Sequence, residues 1–374
     1  MSMTALFPAS DPIPLPAPVW LFKVFHDLTL ALHFASLYLL IGGLFLSIAW
    51  NVLGHARKSA VMIEASGVIL SRLPIVMTYV INLGIPPLLF TQVLYGRALY
   101  TSSILIGGYW ISVVFVIMAA YGMLYRADKV SAQKRAWWGW GIASLILVMY
   151  VGRIYSINMT LMLRPEVWAG MYDATATGSH LPPHDPTSLP RFVLMMLGSL
   201  AFGSIGAVLF STKRVLDPQV QVYLRIRGGV IAALGLILLA ASGVWVFRTQ
   251  PEYVQQGLLS SGFYHPLILG WLVLLGASAL GALSFLKKPG KLPLFKCLLV
   301  VFPSLLAIGS FVILREGVRD ITLAHKGFDV WQSPVNCNWL VVILFVVSLV
   351  AGLAGVAWLI GVIRSAKPAE EHYA

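Results

Sequence analysis

Two imidazoles in an otherwise apolar run are the residues best placed to do chemistry. His26 and His33 lie seven residues apart in WLFKVFHDLTLALHFASLYLLIGGLFLSIAWNVL, which begins at Trp20. At 3.6 residues per turn this spacing leaves both rings on nearly one helix face, separated by about 10 Å along the axis. One metal ion cannot be held between them. Past Asp27 no acidic residue, lysine or arginine occurs until Arg57, so the stretch is long and apolar enough to span a bilayer. An ionisable side chain in such a segment points to function, with His33 foremost, whereas a lone histidine on an apolar helix otherwise serves as a hydrogen-bonded structural residue.

Other chemistry-bearing residues lie toward the ends of later apolar runs. Arg153, Arg164, Arg191, Arg248, Arg315 and Arg319 all fall on one predicted side of the membrane. Such a cluster suits carboxylate or phosphate recognition, and equally an ordinary network of loop ion pairs with Glu166, Glu252, Glu316 and Asp320. Arg153, close to the end of its span, is also placed to snorkel to the interface. His265, in GFYHPLILG, opens a span, with Pro266 suited to its first turn. His180 and His184, in HLPPH, have poor metal-ligand spacing and read as surface. The run PIVMTYVINLGIPPLLFTQVLYG is unusual because Pro86 and Pro87 deprive the carbonyls of Asn82 and Leu83 of helical donors. A kink is expected there, with Asn82 and Gln92 lining a polar cavity or with the break satisfied by neighbouring helices.

The elements that must position these residues are membrane helices. Of 374 residues, 59% are hydrophobic and 11% charged, and the mean hydropathy is +0.84, outside the range of soluble globular proteins. The net charge of +12 is not a nucleic-acid signal, because the basic residues concentrate in short loops between apolar runs. Nine spans fit: about 19–53, 74–96, 102–125, 137–161, 191–211, 228–248, 264–286, 294–314 and 338–363. The expected fold is therefore an all-α polytopic membrane helical bundle, one membrane domain over residues 1–374. Loops after the odd-numbered spans hold seventeen of the 26 basic residues, including Arg57, Lys58, Arg72, Lys213, Arg214, Lys288, Lys291 and Lys367. The positive-inside rule places these loops in the cytoplasm, the N-terminus outside and the C-terminus inside. Residues 59–73 are expected to form an interfacial helix. No cleavable signal peptide is recognisable before the first span, no C-x-x-C-H haem-attachment motif occurs, and Cys297 and Cys337 fall near opposite faces.

The first span, LTLALHFASLYLLIGGLFLSIAWNV, resembles the opening helix of subunit I of cytochrome bd-type quinol oxidases, where a histidine in the position of His33 ligates a haem. TYVINLGIPPLLFTQVLYGRALYTSS resembles that family's second helix, and ILREGVRDITL the segment after its eighth, in which Glu, Gly and Arg precede Gln-Pro-Trp. Nine helices with an external N-terminus is also that subunit's topology. The departures bear on chemistry. Where the family's fifth helix carries a haem-ligating histidine, RFVL here places Leu194, flanked by Met195 and Met196 as soft donors. The family's partner methionine falls near His265 to Ile268, where there is none. The third span lacks the family's proton-delivering glutamates, and the external loop between spans six and seven has shrunk to RTQPEYVQQGLLSSG. With no span offering a buried carboxylate chain, these departures argue against a complete oxygen-reducing oxidase.

The resemblance implies an electron-transfer subunit of the bacterial inner membrane holding one or two b-type haems. His33 would be the iron ligand, His265 and His26 the available second ligands, and Arg153 and Arg319 among the cations for haem propionates. It would link the quinone pool to a separately encoded periplasmic c-type cytochrome or iron–sulfur protein. The alternative is a haem-free membrane anchor or scaffold. A transporter is disfavoured, since no inverted repeat or second broken span is visible.

Overall fold

In the computed structural model, which describes residues 6–9, 13–212, 216–287 and 294–365, helix dominates as a lipid environment demands, because only helices satisfy their own backbone there. Twelve α-helices follow one another: α1 (Val19–Ala56), α2 (Ala60–Leu70), α3 (Leu73–Leu105), α4 (Gly107–Ala132), α5 (Trp138–Leu161), α6 (Trp168–Ala174), α7 (Ser188–Phe210), α8 (Pro218–Arg248), α9 (Glu252–Ser260), α10 (Tyr264–Ser284), α11 (Leu294–His325) and α12 (Trp339–Ser365). Among the described residues nine helical segments are long and apolar enough to cross a membrane, matching the nine expected spans. Of the loop cations used to orient the chain, Lys213, Arg214, Lys288, Lys291 and Lys367 lie outside the described residues.

The long α1 is the hub, packing against α2, α3, α5, α7 and α11. Its closest approach is to α7, where glycines let two backbones touch. A Cβ on Gly203 would stand 2.6 Å from the Gly42 Cα, and one on Gly235 of α8 3.0 Å from the Ala201 Cα of α7. Small residues at such crossings permit the close packing that drives helix association in lipid. A core of Leu30, Phe34, Tyr38, Leu194, Phe202 and Trp271 fills the space among α1, α7, α8, α10 and α11.

Two elements differ from expectation. The helix of α3 continues through Pro86 and Pro87, and the backbone departs from helical geometry instead at Tyr95, with φ −128° and ψ 26°. Asn82 is exposed and donates to the Thr78 carbonyl at 2.9 Å, so it lines no internal cavity. The eighth span does not stop at 314: α11 runs on to His325, and its charged last third is helix, not loop. A separate helix is expected over residues 59–73, and α2 covers residues 60–70, N-capped by Ser59.

At the end that the loop charges place outside, several connections close over the bundle. Leu15 pairs with Val335 in an isolated bridge. Phe7 packs edge-on to Trp168 and Phe328, at 5.5 and 5.4 Å between centroids. Lys326 donates to Glu166 at 2.8 Å, tying the segment after α11 to the connection between α5 and α7.

Candidate functional site

Beneath that cap, α1, α3 and α11 bring a set of ionisable groups into the interior. Lys23, His26 and Asp27 are spaced i, i+3, i+4 on the first turns of α1, so all three project from one face. On α11, Glu316, Arg319 and Asp320 repeat the same spacing, with Arg315 beside them. From α3 come Thr91 and Tyr95, one turn apart. Lys23, His26, Tyr95, Glu316, Arg319 and Asp320 are all buried, His26 at 1% and Tyr95 at 0% exposure.

The contacts form one connected network. Lys23 Nζ reaches both Asp320 oxygens, at 2.7 and 2.6 Å, and also meets the Tyr95 hydroxyl. Tyr95 Oη donates to Asp320 Oδ1 at 2.6 Å and lies 3.4 Å from Glu316 Oε2. Trp331 Nε1 completes the Asp320 shell at 3.2 Å. Glu316 accepts from Arg315 at 2.9 Å and from Arg319 at 2.8 Å. Arg319 also stands 4.8 Å over the Tyr95 ring. Lys23, Arg315 and Arg319 pair with Glu316 and Asp320, while Asp27 faces His26. That pairing permits burial, because an unpaired charge there would face several kcal/mol of desolvation.

His26 has both ring nitrogens engaged. Nε2 lies 3.1 Å from Thr91 Oγ1, whose hydroxyl donates to the Pro87 carbonyl at 2.7 Å. Nδ1 lies 3.0 Å from Asp27 Oδ1 and 3.8 Å from Glu316 Oε2. His26, Asp27 and Glu316 could each present a ligand atom to a cation, all within 4.8 Å of one another. The two arginines already on Glu316 oppose that use, and the arrangement suits holding and relaying a proton better than holding a metal.

His33 lies two turns further along α1. Its Nδ1 is 3.0 Å from the Val80 carbonyl, and a Cβ on Gly84 would stand 2.9 Å from the His33 Cε1. The ring is thus seated against α3 in a notch that glycine provides. With Nδ1 taken by a backbone carbonyl, Nε2 is the nitrogen left for a metal, the usual arrangement of a ligating histidine. Two cavities, of about 670 and 420 Å³, are lined by residues such as Val61 and Tyr223, and Thr101 and Trp168 respectively, and neither touches His33.

The remaining sequence-predicted residues are dispersed. His265 is exposed, with Nδ1 3.0 Å from the Leu259 carbonyl of its own connection. Arg153 donates to Ser188 Oγ at 2.8 Å and stands 5.9 Å over Phe192, while Arg191 donates to Gln250 Oε1 at 2.9 Å. Arg164 pairs with Asp185 at 3.5 Å. The expected arginine cluster therefore divides: His26, Arg315 and Arg319 meet through Glu316, while Arg153, Arg164 and Arg191 bond elsewhere. Glu316 and Asp320, read from sequence as loop ion pairs, are buried helical carboxylates, so the interior does hold acidic groups. Lys23, Thr91, Tyr95 and Trp331 were missed; the matching i, i+3, i+4 charge spacing on α1 and α11 is the signal that could have found Lys23.

At the position where the resemblance implies a second haem, the residues do not fit one. Leu194 is 3% exposed, Tyr38 stacks on Phe202 at 5.4 Å and its hydroxyl meets Met195 Sδ at 3.5 Å. Trp271 presses so closely on α8 that a Cβ on Gly243 would fall 2.7 Å from its ring. Packed side chains occupy the volume.

These features define a multi-pass helical membrane protein with a buried ion-pair network at one end. No family model and no curated protein sequence matches the chain. Its fold is similar to that of the bd oxidase from Geobacillus thermodenitrificans, with a TM-score of 0.65 at 12% identity, over 94% of this chain and 99% of that one. At that identity the similarity establishes the fold.

Proposed function

We propose that this protein is a respiratory membrane subunit that exchanges electrons between the quinone pool and a separately encoded partner at the outer face, a c-type cytochrome or an iron–sulfur protein. The setting is a bacterial cytoplasmic membrane. The observation that carries the reading is the orientation of His33 on a bd-oxidase-like fold, Nδ1 fixed by the Val80 carbonyl and Nε2 left over. A b-type haem bound there would supply one-electron transfer. His33 would hold it; His265 and Arg153, the other expected contributors, stand at separate places in the structure.

In this reading the buried network manages protons and charge. Tyr95 Oη sits between Asp320 Oδ1 and Glu316 Oε2, so a proton on either carboxylate can pass through the hydroxyl. Lys23, Arg315 and Arg319 pair with Glu316 and Asp320, and Trp331 donates to Asp320 from the cap. Reduced-minus-oxidised spectra of the purified protein, with haem content per chain, test the proposal. A Soret and alpha band lost in His33→Ala supports it, and featureless spectra after full haem supply dispose of it.

The second reading, a haem-free scaffold, is favoured by the filled core around Leu194, Phe202 and Trp271. It predicts a colourless protein whose removal still disperses its partner subunits from the membrane.

A further inference from the structure

At the end that the loop charges place inside, a groove runs between α2 and the first turns of α8. It has a volume of about 670 Å³ and is lined by Val61 of α2 and, from α8, by Gln219, Val222, Tyr223, Ile226 and Arg227. The α8 residues recur every three or four positions and so share one face. Tyr223 is held edge-on to Trp50 of α1, at 5.3 Å between centroids. The turn that follows α1, closed by Ser59 N donating to the Gly54 carbonyl at 2.8 Å, brings Arg57 to the same place. The charges of Arg57 and Arg227 both bear on the Tyr223 hydroxyl.

None of these polar groups is spent within the chain. Among the described residues neither guanidinium and not the Tyr223 hydroxyl makes a hydrogen bond or an ion pair. Asp217 is occupied with its own helix, accepting from Gln219 N at 2.7 Å. Glu64 is exposed on α2, and the cations Arg57, Lys58 and Arg227 outnumber these two acids. The depth is also defined. After Arg227 the next charged residue is Arg248, and residues 228–247 extend about 30 Å as helix, the thickness of the hydrocarbon layer. Arg227 therefore stands at the boundary, and the groove lies at the level of the headgroups.

We propose that this groove binds an anionic phospholipid. Its phosphodiester would lie between Arg57 and Arg227, whose guanidinium groups suit phosphate oxygens, with Tyr223 and Gln219 as further donors. Basic pockets between membrane helices on this side take such headgroups. The acyl chains have a path as well. Ile226, in the groove, begins an exposed apolar stripe that continues through Val230, Leu234 and Ile237 down the lipid-facing side of α8. A soluble phosphate could meet the cations but would gain nothing from that stripe, so the occupant is the lipid. The proposal is independent of haem and of the redox reading.

The test is native mass spectrometry of delipidated protein titrated with dioleoylphosphatidylglycerol or, at matched chains, dioleoylphosphatidylcholine. The anionic lipid is expected to bind in preference. Arg57→Gln with Arg227→Gln should raise its dissociation constant roughly ten- to thirty-fold. Lys129→Gln with Arg135→Gln, an equal loss of charge elsewhere on the same end, should change it little. Val61→Trp, which fills the groove and leaves both arginines, should remove the preference with helical circular dichroism unchanged. Inorganic phosphate at millimolar concentration should not displace the lipid. Equal binding of the two lipids overturns the proposal. So do equal losses in the two double variants, a preference that survives Val61→Trp, or displacement by inorganic phosphate, which would assign the groove to a soluble anion.

Discussion

Lys23 Nζ lies 2.6 Å from Asp320 Oδ2, joining the first turns of α1 to the last turns of α11 across 297 residues of sequence. Both side chains are buried, so the pair is isolated from water and from salt. Removing one partner strands the other charge in the interior. Lys23→Met is therefore expected to destabilise the protein by about 3–5 kcal/mol, and Asp320→Leu by a comparable amount. The double variant should recover much of that loss, since a well-packed apolar pair can replace a buried ion pair at little net cost. Denaturant titration in detergent, analysed as a double-mutant cycle, measures the coupling; additive losses would contradict the pairing.

Tyr95 tests the network separately from its charges. Its hydroxyl meets Lys23, Asp320 and Glu316, and Tyr95→Phe keeps the ring while deleting that bridge. The expected cost is about 1–3 kcal/mol, the desolvation of buried partners left without a hydrogen bond. If the proposed redox role holds, the pH dependence of electron transfer should change more than its rate at a fixed pH. An unaltered pH profile would remove the hydroxyl from any proton path.

The sequence made the nine helices legible because lipid tolerates few alternatives to a long apolar helix. The end of α11 was not legible for the same reason. A hydropathy reading treats Arg315, Glu316, Arg319 and Asp320 as solvent-seeking and ends the span before them, whereas these charges neutralise one another and Lys23 inside the bundle. Helical spacing of opposite charges was the available signal. The Pro86–Pro87 pair misled in the other direction. Proline predicts a break at itself, yet the helix passes through both and the departure falls at Tyr95, where the side chain is held by the buried network. His33 was visible as an ionisable group in an apolar helix, but its bond to the Val80 carbonyl depends on how α1 crosses α3.

Glycine sets the distance between α1 and α7. A Cβ at Gly203 would stand 2.6 Å from the Gly42 Cα, against backbone that cannot turn aside. Gly203→Ala should force the helices apart and lower stability by about 1–3 kcal/mol, with Gly203→Val worse. Gly139, whose Cβ would meet nothing within 4 Å, serves as the control, and Gly139→Ala should be neutral or slightly stabilising. Thermal inactivation in detergent distinguishes these; equal effects at both positions would refute the close crossing.

Leu194 offers the sharpest contrast between resemblance and packing. Placing a histidine there would, by the resemblance alone, supply a haem ligand. The structure predicts otherwise, because Leu194 is 3% exposed within a core that Phe202, Tyr38 and Trp271 already fill. An imidazole at that position would be a buried polar group without a designed partner, at a cost of about 1–3 kcal/mol. Leu194→His is therefore expected to lower the melting temperature and leave haem content per chain unchanged, as measured by pyridine haemochrome assay. Enlarging the space should not rescue it, since Trp271→Ala in the same chain removes core packing worth about 3–5 kcal/mol. A gain of one haem in Leu194→His alone would mean that the core opens more readily than its packing implies.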